Sequence, residues 1–493
     1  MYKRVHCIGI GGIGLSALAR YYMDRGAVVS GSDVADSELL QDLRDEGMEI
    51  FIGHMASNVP DDVDLVIYTI AIEKDSNEEY IKAKKMQDAF GVTSSLGGRI
   101  EEGPVLGLGE GPALLSYPAA LGELTKSKKT IAICGTHGKT TTTAMTYYAL
   151  KEAGINATMI VGSLIELDGK KTNYVYGDSE YLIIEACEYR RSFLNYNPTY
   201  ILVTNIDTDH LDYYKDLNDV ESAFVEFVNK LPEGGRVICH EEDAPTLTSP
   251  SFGEGPLNAD TIINHLDIKL KVIGEHNQKN AQLVVALGEA LGLDRNKILR
   301  GLENFLGTWR RMEYRGYAPN GAMVYDDYAH HPREIEATLT ALNTHYNSTP
   351  TPALPQGEGA TQKFERIRIS PLPLREGQGV GVNKKIVLVF QPHLQSRTHA
   401  FYNEFIKALS LADIIYVLPI YHARAEDDLG MSNIKMVASI LGLAKEENKY
   451  KEAYTLDFSN AKNELAKYDK NHIIITMGAG RNNIIADQLV AEN

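Results

Sequence analysis

The sequence has few cysteines and no long uninterrupted apolar run. The four cysteines among 493 residues lie far apart and form no Cys-x-x-Cys pair; they are Cys7, Cys134, Cys187 and Cys239. This spacing excludes a zinc knuckle or a disulfide framework and fits a reducing compartment, so we expect a cytoplasmic protein. A membrane-spanning helix needs roughly 18 consecutive apolar residues, and without such a stretch we expect no membrane association.

One segment imitates a secretion signal. Lys3 and Arg4 precede an apolar run that ends in Ala17-Leu18-Ala19. The apolar region of a signal peptide is continuous, whereas four glycines interrupt this run at positions that suit another motif. We therefore favour a folded glycine-rich turn over a signal peptide.

Positive charge is in deficit. The chain has 49 Lys+Arg against 66 Asp+Glu, a formal net charge of -17. An acidic chain is a poor general binder of nucleic acid or of anionic membranes. We therefore expect small-molecule substrates and no nucleic-acid partner, with any phosphate held by a local loop. A hydrophobic content of 44% provides apolar material for several cores.

Short apolar strands alternate with amphipathic helices, which predicts parallel sheets covered by helices. The alternation begins at residues 5–10, restarts at 130–134 and restarts again near Met323. We predict an α/β fold of three consecutive domains. They are a Rossmann-like domain at 1–115, a central P-loop ATP-binding domain at 116–312 and a Rossmann-like C-terminal domain at 313–493.

Three segments rich in glycine and proline interrupt this alternation, at about residues 97–112, 246–256 and 349–384. They contain similar short sequences, for example Gly-Leu-Gly-Glu-Gly-Pro at 107–112 and Phe-Gly-Glu-Gly-Pro at 252–256. Such composition buries too little apolar area to offset chain entropy, so we interpret the segments as exposed insertions. A ligand-binding repeat is the alternative.

A glycine-rich turn follows the first predicted strand. Gly9-x-Gly11-x-x-Gly14 opens a helix, and Asp33 ends the next strand. In the dinucleotide fingerprint, such glycines let backbone amides approach a pyrophosphate at a helix N-terminus. The amides do not distinguish NAD from a UDP-sugar, so both ligands stay open, as does a tight turn without any ligand.

A second glycine-rich loop joins an apolar strand to a threonine-rich helix. Its sequence is Gly135-Thr136-His137-Gly138-Lys139-Thr140, and Ile133 stands where a Walker loop has its first glycine. The loop still predicts a phosphate cradle in which Lys139 contacts the β and γ phosphates and Thr140 binds Mg²⁺. We expect Lys139 to be an exposed loop residue.

Two further side chains follow apolar strands. Glu185 ends the strand that begins at Tyr181, and His210 comes shortly after another strand. Strand ends at the carboxyl edge of a parallel sheet converge on one crevice, so both could ligate magnesium, although histidine is an unusual ligand for that cation. The alternative is an ordinary strand-end glutamate and a histidine next to a helix cap.

The order of these motifs resembles that of the Mur ligase family, over nearly the whole chain outside the insertions. The resemblance rests on the glycine-rich segment 9–16, the phosphate loop 135–143, Glu185-Ala-Cys-Glu-Tyr-Arg-Arg-Ser-Phe193, Thr204-Asn-Ile-Asp-Thr-Asp-His210, Gly274-Glu-His-Asn277, Arg310-Arg311, Asp326-Asp-Tyr-Ala-His-His-Pro332 and Gln391-Pro-His-Leu-Gln-Ser-Arg-Thr398. In that family the first domain holds UDP, the second holds ATP and the third brings the amino acid.

The resemblance implies ligands for ATP and Mg²⁺. The ATP contacts it implies are Gly135, Thr136, His137, Gly138, Lys139, Thr140, Thr141, His276, Asn277, Asn280 and Asp327. Thr140 and Glu185 would hold one Mg²⁺, and His210 would hold a second. The mechanism that follows depends on positioning and charge neutralisation, with Lys139 contributing directly to catalysis.

The resemblance also implies contacts to the other two substrates. Those for the sugar nucleotide are Gly11, Gly12, Ile13, Gly14, Ser16 and Asp33. Tyr328, His330 and Arg397 would admit the amino acid, since a guanidinium fork pairs bidentately with an α-carboxylate and His330 suits a proton acceptor. Many relatives carry a second arginine where this chain has Leu394, so recognition should depend mainly on Arg397.

The implied reaction is the addition of L-alanine to UDP-N-acetylmuramic acid through an acyl phosphate, a step of peptidoglycan synthesis and hence of cell-wall growth and division. The sequence of residues 9–16 resembles that of the alanine-adding members more closely than that of the members that recycle a preformed tripeptide. A nicotinamide oxidoreductase would leave Lys139 and the third domain without a role, and a non-catalytic P-loop protein is a further alternative. We expect a monomer or homodimer.

Overall fold

The computed structural model describes residues 2–89, 111–167, 170–209, 213–247, 259–262, 266–347, 383–422, 428–447, 449 and 451–490. The chain divides into two compact units, Met1–Ile263 and Asn264–Asn493. His210 and nearly all of the predicted insertions at 97–112 and 349–384 lie outside the described residues, as do residues 248–256 of the insertion between them. No described helix is long and apolar enough to cross a membrane.

The first sheet is fully parallel and has the strand order β3-β2-β1-β4-β5. Its strands are β1 (Arg4–Ile8), β2 (Val28–Asp33), β3 (Glu49–Ile52), β4 (Leu65–Tyr68) and β5 (Ala113–Ser116). The helices of this region are α1 (Ile13–Asp24), α2 (Glu38–Asp45), α3 (Glu78–Ala89) and α4 (Tyr117–Thr125). The order is Rossmann-like, as predicted, and it places the glycine-rich turn at the carboxyl end of central strand β1.

The second sheet belongs to the same unit and has the order β12-β11-β10-β6-β9-β7-β8. Its strands are β6 (Lys129–Cys134), β7 (Thr158–Leu167), β8 (Lys170–Val175), β9 (Tyr181–Glu185), β10 (Tyr200–Val203), β11 (Arg236–His240) and β12 (Ala259–Ile262). Helices α5 (Lys139–Glu152), α6 (Leu217–Val228) and α7 (Ala244–Leu247) accompany them. Only β8 runs antiparallel, paired with β7. Because β6 lies between β9 and β10, three strand ends meet at the phosphate loop.

The third sheet lies in the second unit, with the order β13-β14-β18-β15-β16-β17. Its strands are β13 (Glu313–Tyr317), β14 (Met323–Asp327), β15 (Lys385–Phe390), β16 (Ile414–Val417), β17 (Glu452–Thr455) and β18 (His472–Met477). Its helices are α8 (Glu275–Ala290), α9 (Arg295–Asn304), α10 (Pro332–Asn347), α11 (Gln395–Ala400), α12 (Tyr402–Leu409), α13 (Asn433–Glu446), α14 (Phe458–Leu465) and α15 (Asn483–Val490). Apolar side chains on both faces of the central strands are buried, as in parallel sheets covered on both sides.

Three serial α/β sheets confirm the predicted fold class. Helices α8 and α9 belong to the same compact unit as the third sheet. The boundaries at residues 115 and 312 stay predictions.

Candidate active site

The phosphate loop connects β6 to α5 through two glycines with positive φ. Gly135 has φ 134°, and a Cβ there would lie 2.0 Å from Thr204 Oγ1. Gly138 has φ 85° and caps α5 in the left-handed region, which side chains other than glycine rarely adopt. The helix therefore begins with its backbone amides available to an anion.

The rest of the loop is fastened to the segment after β10. The Thr136 hydroxyl donates to the carbonyl of Asp207 at 3.1 Å and accepts from its amide at 2.9 Å. His137 donates its amide to Asn205 Oδ1, and Asn205 Nδ2 donates to the His137 carbonyl, both at 2.9 Å. Thr141 is buried in the first turn of α5. These contacts fix the conformation of the loop relative to the end of β10.

Lys139 is largely buried and is paired with Glu188, so the expectation of an exposed loop lysine is wrong. Its side chain is 12% exposed, and Nζ lies 2.9 Å from Glu188 Oε2. Nζ also donates to the carbonyls of Gly135 at 2.5 Å and Thr136 at 3.0 Å. Burial lowers the pKa of Lys139, but the carboxylates of Glu188 and Glu185 outweigh burial and raise it, so the ammonium stays charged.

Glu188 is the anionic partner of Lys139, a role that the sequence motifs did not reveal. Its side chain is almost fully buried, and the Tyr214 hydroxyl donates to its backbone carbonyl at 2.5 Å. The residue follows Glu185 by three positions, just past the end of β9. The sequence offers one signal for this role: Glu188 follows a strand whose end lies next to the phosphate loop. A lysine buried in that loop requires an anionic partner.

Thr140 and Glu185 form a pair of oxygen ligands at the start of α5. Thr140 Oγ1 donates to both carboxylate oxygens of Glu185 at 3.0 Å. The Gly162 amide also donates to Glu185 Oε2, at 2.9 Å. Hydroxyl and carboxylate oxygens are the donors that Mg²⁺ prefers, so these two residues fit the ion. Across the described ranges, no cluster of three or more His, Cys, Asp or Glu could hold a metal.

The carboxylate of Asp33 contacts the glycine-rich turn of the first sheet. Gly11 donates its amide to Asp33 Oδ2 at 2.9 Å, and a Cβ on Gly11 would lie 2.8 Å from that oxygen. Gly9 has φ 84°, and Gly12 precedes α1 in an extended conformation. Asp33 thus lies beside the turn, as the fingerprint predicts.

The remaining residues of the turn belong to the first turn of α1. Gly14 packs on the ring of Tyr117, where a Cβ would lie 2.7 Å from the phenol oxygen. The Ser16 hydroxyl is fully buried and donates to the Ile13 carbonyl at 2.9 Å. Gly14 and Ser16 therefore have packing reasons for their identity in addition to the predicted contact with a ligand.

In the second unit, Gly274 precedes α8 as its N-cap and has φ 108°. The ring of His276 lies over this glycine, because a Cβ there would be 2.5 Å from its Cε1. Burial, and then the charge of Arg311, lower the pKa of His276 to about 4. Asn277 donates to the Ile273 carbonyl at 2.7 Å.

Asp327 ends β14 as a buried carboxyl group. It accepts hydrogen bonds from the amides of Ala329 at 2.7 Å and Met312 at 2.9 Å, and from the Thr338 hydroxyl at 3.2 Å. Burial raises the pKa of Asp327 to about 6, against the opposing charge of Arg311 and these amides.

The side chains after β14 surround Arg311 and Glu334. The Arg311 guanidinium lies 5.2 Å from the Tyr328 ring centroid and 3.7 Å from a Glu334 oxygen. Glu334 also accepts the amide of His330 at 3.0 Å. The charges of Arg311 and Glu334 both act on the pKa of His276, which the first lowers and the second raises. The structure thus brings His276, Tyr328 and His330 into one polar cluster around Arg311 and Glu334. The sequence motifs include Arg311 without a role for it, and they do not include Glu334.

Arg397 lies on α11, half-buried, and its carbonyl accepts from the Phe401 amide. His393, which precedes the helix, has its ring 5.8 Å from that of His330. Leu394 is buried and has φ 64°, a conformation that is strained for a bulky side chain. Asn280 is buried on α8, within the same unit.

A phosphate loop with a charged lysine, next to a pair of oxygen ligands, defines a P-loop nucleotide-binding enzyme built from serial α/β sheets. Three family models match this chain: the Mur ligase family catalytic domain at residues 4–88, the Mur ligase middle domain at 133–254 and the Mur ligase glutamate ligase domain at 310–354. The chain belongs to the Mur ligase family, which confirms the resemblance found in the sequence.

Individual relatives span nearly the whole chain. The UDP-N-acetylmuramate–L-alanine ligase of Agathobacter rectalis is 35% identical over 97% of this chain and 95% of its own length. That of Clostridium perfringens is 33% identical with the same coverage. The crystal structure of UDP-N-acetylmuramate-alanine ligase from Thermotoga maritima has a TM-score of 0.71 at 26% identity and covers 100% of this chain and 99% of that one. A murein peptide ligase from Psychrobacter arcticus shares the fold, with a TM-score of 0.61 at 20% identity and coverage of 99% and 98%.

Proposed function

We propose that this protein catalyses the ATP-dependent addition of L-alanine to UDP-N-acetylmuramic acid in the cytoplasm, a step of peptidoglycan precursor synthesis. The similarity to UDP-N-acetylmuramate–L-alanine ligases over 97% of the chain carries this proposal. The phosphate loop supports it independently, because Lys139, Thr140 and Glu185 supply a cation and oxygen ligands where a nucleoside triphosphate would bind. We expect a monomer or homodimer.

The reaction needs two transfers. An oxygen of the muramic carboxylate attacks the γ-phosphorus, the bond to the bridging oxygen breaks, and ADP leaves with that electron pair. The alanine amine then attacks the acyl carbon, inorganic phosphate leaves from the tetrahedral intermediate, and the amine loses a proton to a base. The charged Lys139 would stabilise the phosphoryl oxygens in the first transfer, and His330 is our candidate for the base in the second.

Thr140 and Glu185 would hold one Mg²⁺, and His210 a second. When bound, Mg²⁺ neutralises charge on the phosphate oxygens. The Thr140 hydroxyl donates its proton to Glu185 and keeps lone pairs on its oxygen, which could ligate the ion. Gly162 continues to orient the carboxylate through its amide.

The other substrates are assigned to the other two sheets. Gly11, Gly12, Ile13, Gly14, Ser16 and Asp33 would form the pyrophosphate and uridine side, with amides at the start of α1 facing the anion. In the second unit, His276, Asn277, Asn280 and Asp327 are our proposed contacts to ATP. Tyr328 and Arg397 would receive alanine.

Phosphate release from ATP tests the proposal directly. The purified chain is assayed with UDP-N-acetylmuramic acid and Mg²⁺, together with alanine, glycine, serine or the tripeptide, and with each component omitted in turn. Phosphate release that requires the sugar nucleotide and L-alanine supports the proposal. Release only with the tripeptide would identify a recycling ligase, and binding of ATP without any release would favour a non-catalytic P-loop protein.

A further inference from the structure

The first turn of α1 is hydrogen-bonded to an edge strand of the second sheet. Asn173 on β8 donates from Nδ2 to the Ile13 carbonyl at 2.6 Å and to Ser16 Oγ at 2.8 Å. Its Oδ1 accepts from Arg20 at 2.5 Å. Asn173 is fully buried, so both donors and the acceptor of this amide contact one helix.

The surroundings of Asn173 fix the direction of its amide. The Arg20 guanidinium is held from its other side by Glu46, with Nε to Oε2 at 2.8 Å and NH2 to Oε1 at 2.7 Å. The next residue, Tyr174, packs edge to face on Tyr21 at 6.3 Å between centroids. A flipped amide would place its NH₂ group against a guanidinium and its oxygen against a carbonyl, and both contacts are repulsive.

Opposite Asn173, strand β7 departs from regular pairing. Ile160 pairs with Tyr174 and Ile165 pairs with Thr172, so residues 161–164 of β7 lie opposite residue 173 alone. Irregularities of this kind redirect backbone groups and are frequent next to active sites. This one contains Gly162, whose amide donates to Glu185. A Cβ on Gly162 would lie 2.5 Å from the Glu185 carboxylate, so the close approach requires glycine.

One hairpin therefore contacts both proposed ligand sites of the first unit. Through Gly162 it orients the carboxylate beside Thr140, and through Asn173 it holds the first turn of α1, which carries the glycine-rich loop. We infer that Asn173 is a positioning residue that aligns the sugar-nucleotide loop with the carboxylate side of the phosphate site. This inference rests on the proposed function, since it assigns the α1 turn to the UDP-sugar.

The variant Asn173→Asp tests this role with little change of shape. It keeps an oxygen for Arg20, removes both donors and places a carboxylate oxygen against the Ile13 carbonyl. Loss of buried hydrogen bonds of this kind corresponds to a change in affinity of about tenfold or more. We expect KM for UDP-N-acetylmuramic acid to rise by about that factor, while KM for ATP and for alanine changes less than about twofold. Asn156→Ala is the matched control, because Asn156 is exposed and contacts Asp178.

A purely structural role would lower thermal stability and kcat without raising KM for one substrate selectively, and that result would overturn the inference. If Asn173→Asp does not fold, Arg20→Lys provides the milder change for Asn173, because both donor contacts of Asn173 stay and only the contact to its Oδ1 is weakened. The pair of Arg20 with Glu46 is weakened as well, so Glu46→Gln serves as its control. Equilibrium binding of UDP and of ADP to each variant gives a readout independent of turnover. Weaker UDP binding with unchanged ADP binding supports the role of Asn173 even if the wild type lacks alanine ligase activity, whereas unchanged UDP binding refutes it.

Discussion

Asn347 and Lys384 exchange two hydrogen bonds across a sequence separation of 37 positions. The Lys384 amide donates to Asn347 Oδ1 at 2.7 Å, and Asn347 Nδ2 donates to the Lys384 carbonyl at 2.9 Å. The last residue of α10 thus lies beside the residue that precedes β15. The predicted insertion at 349–384 therefore begins and ends at neighbouring points of the second unit.

Deleting residues 350–381 and closing the gap with a short Gly/Ser link should leave this unit folded. The cost of loop closure grows slowly with length, so we expect the free energy of unfolding to change by less than about 1 kcal/mol. Urea denaturation and the phosphate-release assay measure the effect. Unfolding of the shortened chain, or loss of its activity, would show that the segment is more than a passive insertion.

Removing the Lys139 ammonium should abolish ligation and also destabilise the fold. Lys139→Ala leaves the nearly buried Glu188 carboxylate without its cation, and breaking such a pair costs about 3 to 5 kcal/mol. Activity should fall by more than about tenfold, equivalent to about 1.4 kcal/mol of barrier. The double variant Lys139→Ala/Glu188→Gln separates the effects, since it should recover stability without recovering activity. Residual activity above about a tenth of wild type in either variant would refute the catalytic role.

Asp327 should make the second unit less stable as the pH rises from about 4 to about 6. Burial raises its pKa to about 6, so within this window the folded chain retains a proton that the unfolded chain has released. Its stabilising contribution is complete below the unfolded pKa and lost as the pH rises through 6, which amounts to about 3 kcal/mol. Urea unfolding of wild type and Asp327→Asn should therefore diverge across this range and run parallel above it. A constant difference from pH 4 to 7 would contradict the assignment.

Arg397 should govern the affinity for alanine. Arg397→Lys keeps the charge but loses the planar fork, and disruption of a charge-assisted pair in a closed site is worth roughly 2 to 5 kcal/mol, so KM for alanine should rise more than tenfold. KM for ATP and for the sugar nucleotide should stay nearly constant. Steady-state kinetics of Arg397→Lys and Arg397→Ala, with each substrate varied in turn, check this. Normal alanine binding with weakened ATP binding would mean that Arg397 faces the phosphates.

Local signals in the sequence were enough to locate several elements and the phosphate loop. The strand predicted at residues 130–134 forms as β6 (Lys129–Cys134), and Asp33 ends β2 as predicted, because apolar β-branched runs between turn residues have few other solutions. The threonine-rich helix predicted after the phosphate loop forms as α5 and begins directly after Gly138. The convergence of Lys139, Thr140 and Glu185 follows from the parallel order of neighbouring strands.

Contacts between distant segments could not be predicted in the same way. Nothing near Asn173 in the sequence indicates that it contacts α1, because its hydrogen-bond partner Ser16 lies 157 positions earlier in the chain. The same is true of Arg310, which binds Asp326 and the carbonyls of Gly478 and Gly480. The burial of Lys139 could not be predicted either. A charged residue in a glycine-rich loop is expected to be exposed to solvent unless a buried partner such as Glu188 is known.

The position of β18 determines when the third sheet can form. This strand lies between β14 and β15, yet the ribosome synthesises it after both. Until His472–Met477 emerges, β14 and β15 each expose an unpaired edge, and the apolar residues that β18 covers stay in water. Such late, long-range pairing slows folding and favours aggregation of the incomplete chain. The second unit should therefore fold only after its last strand leaves the ribosome, whereas the first unit can fold while synthesis continues.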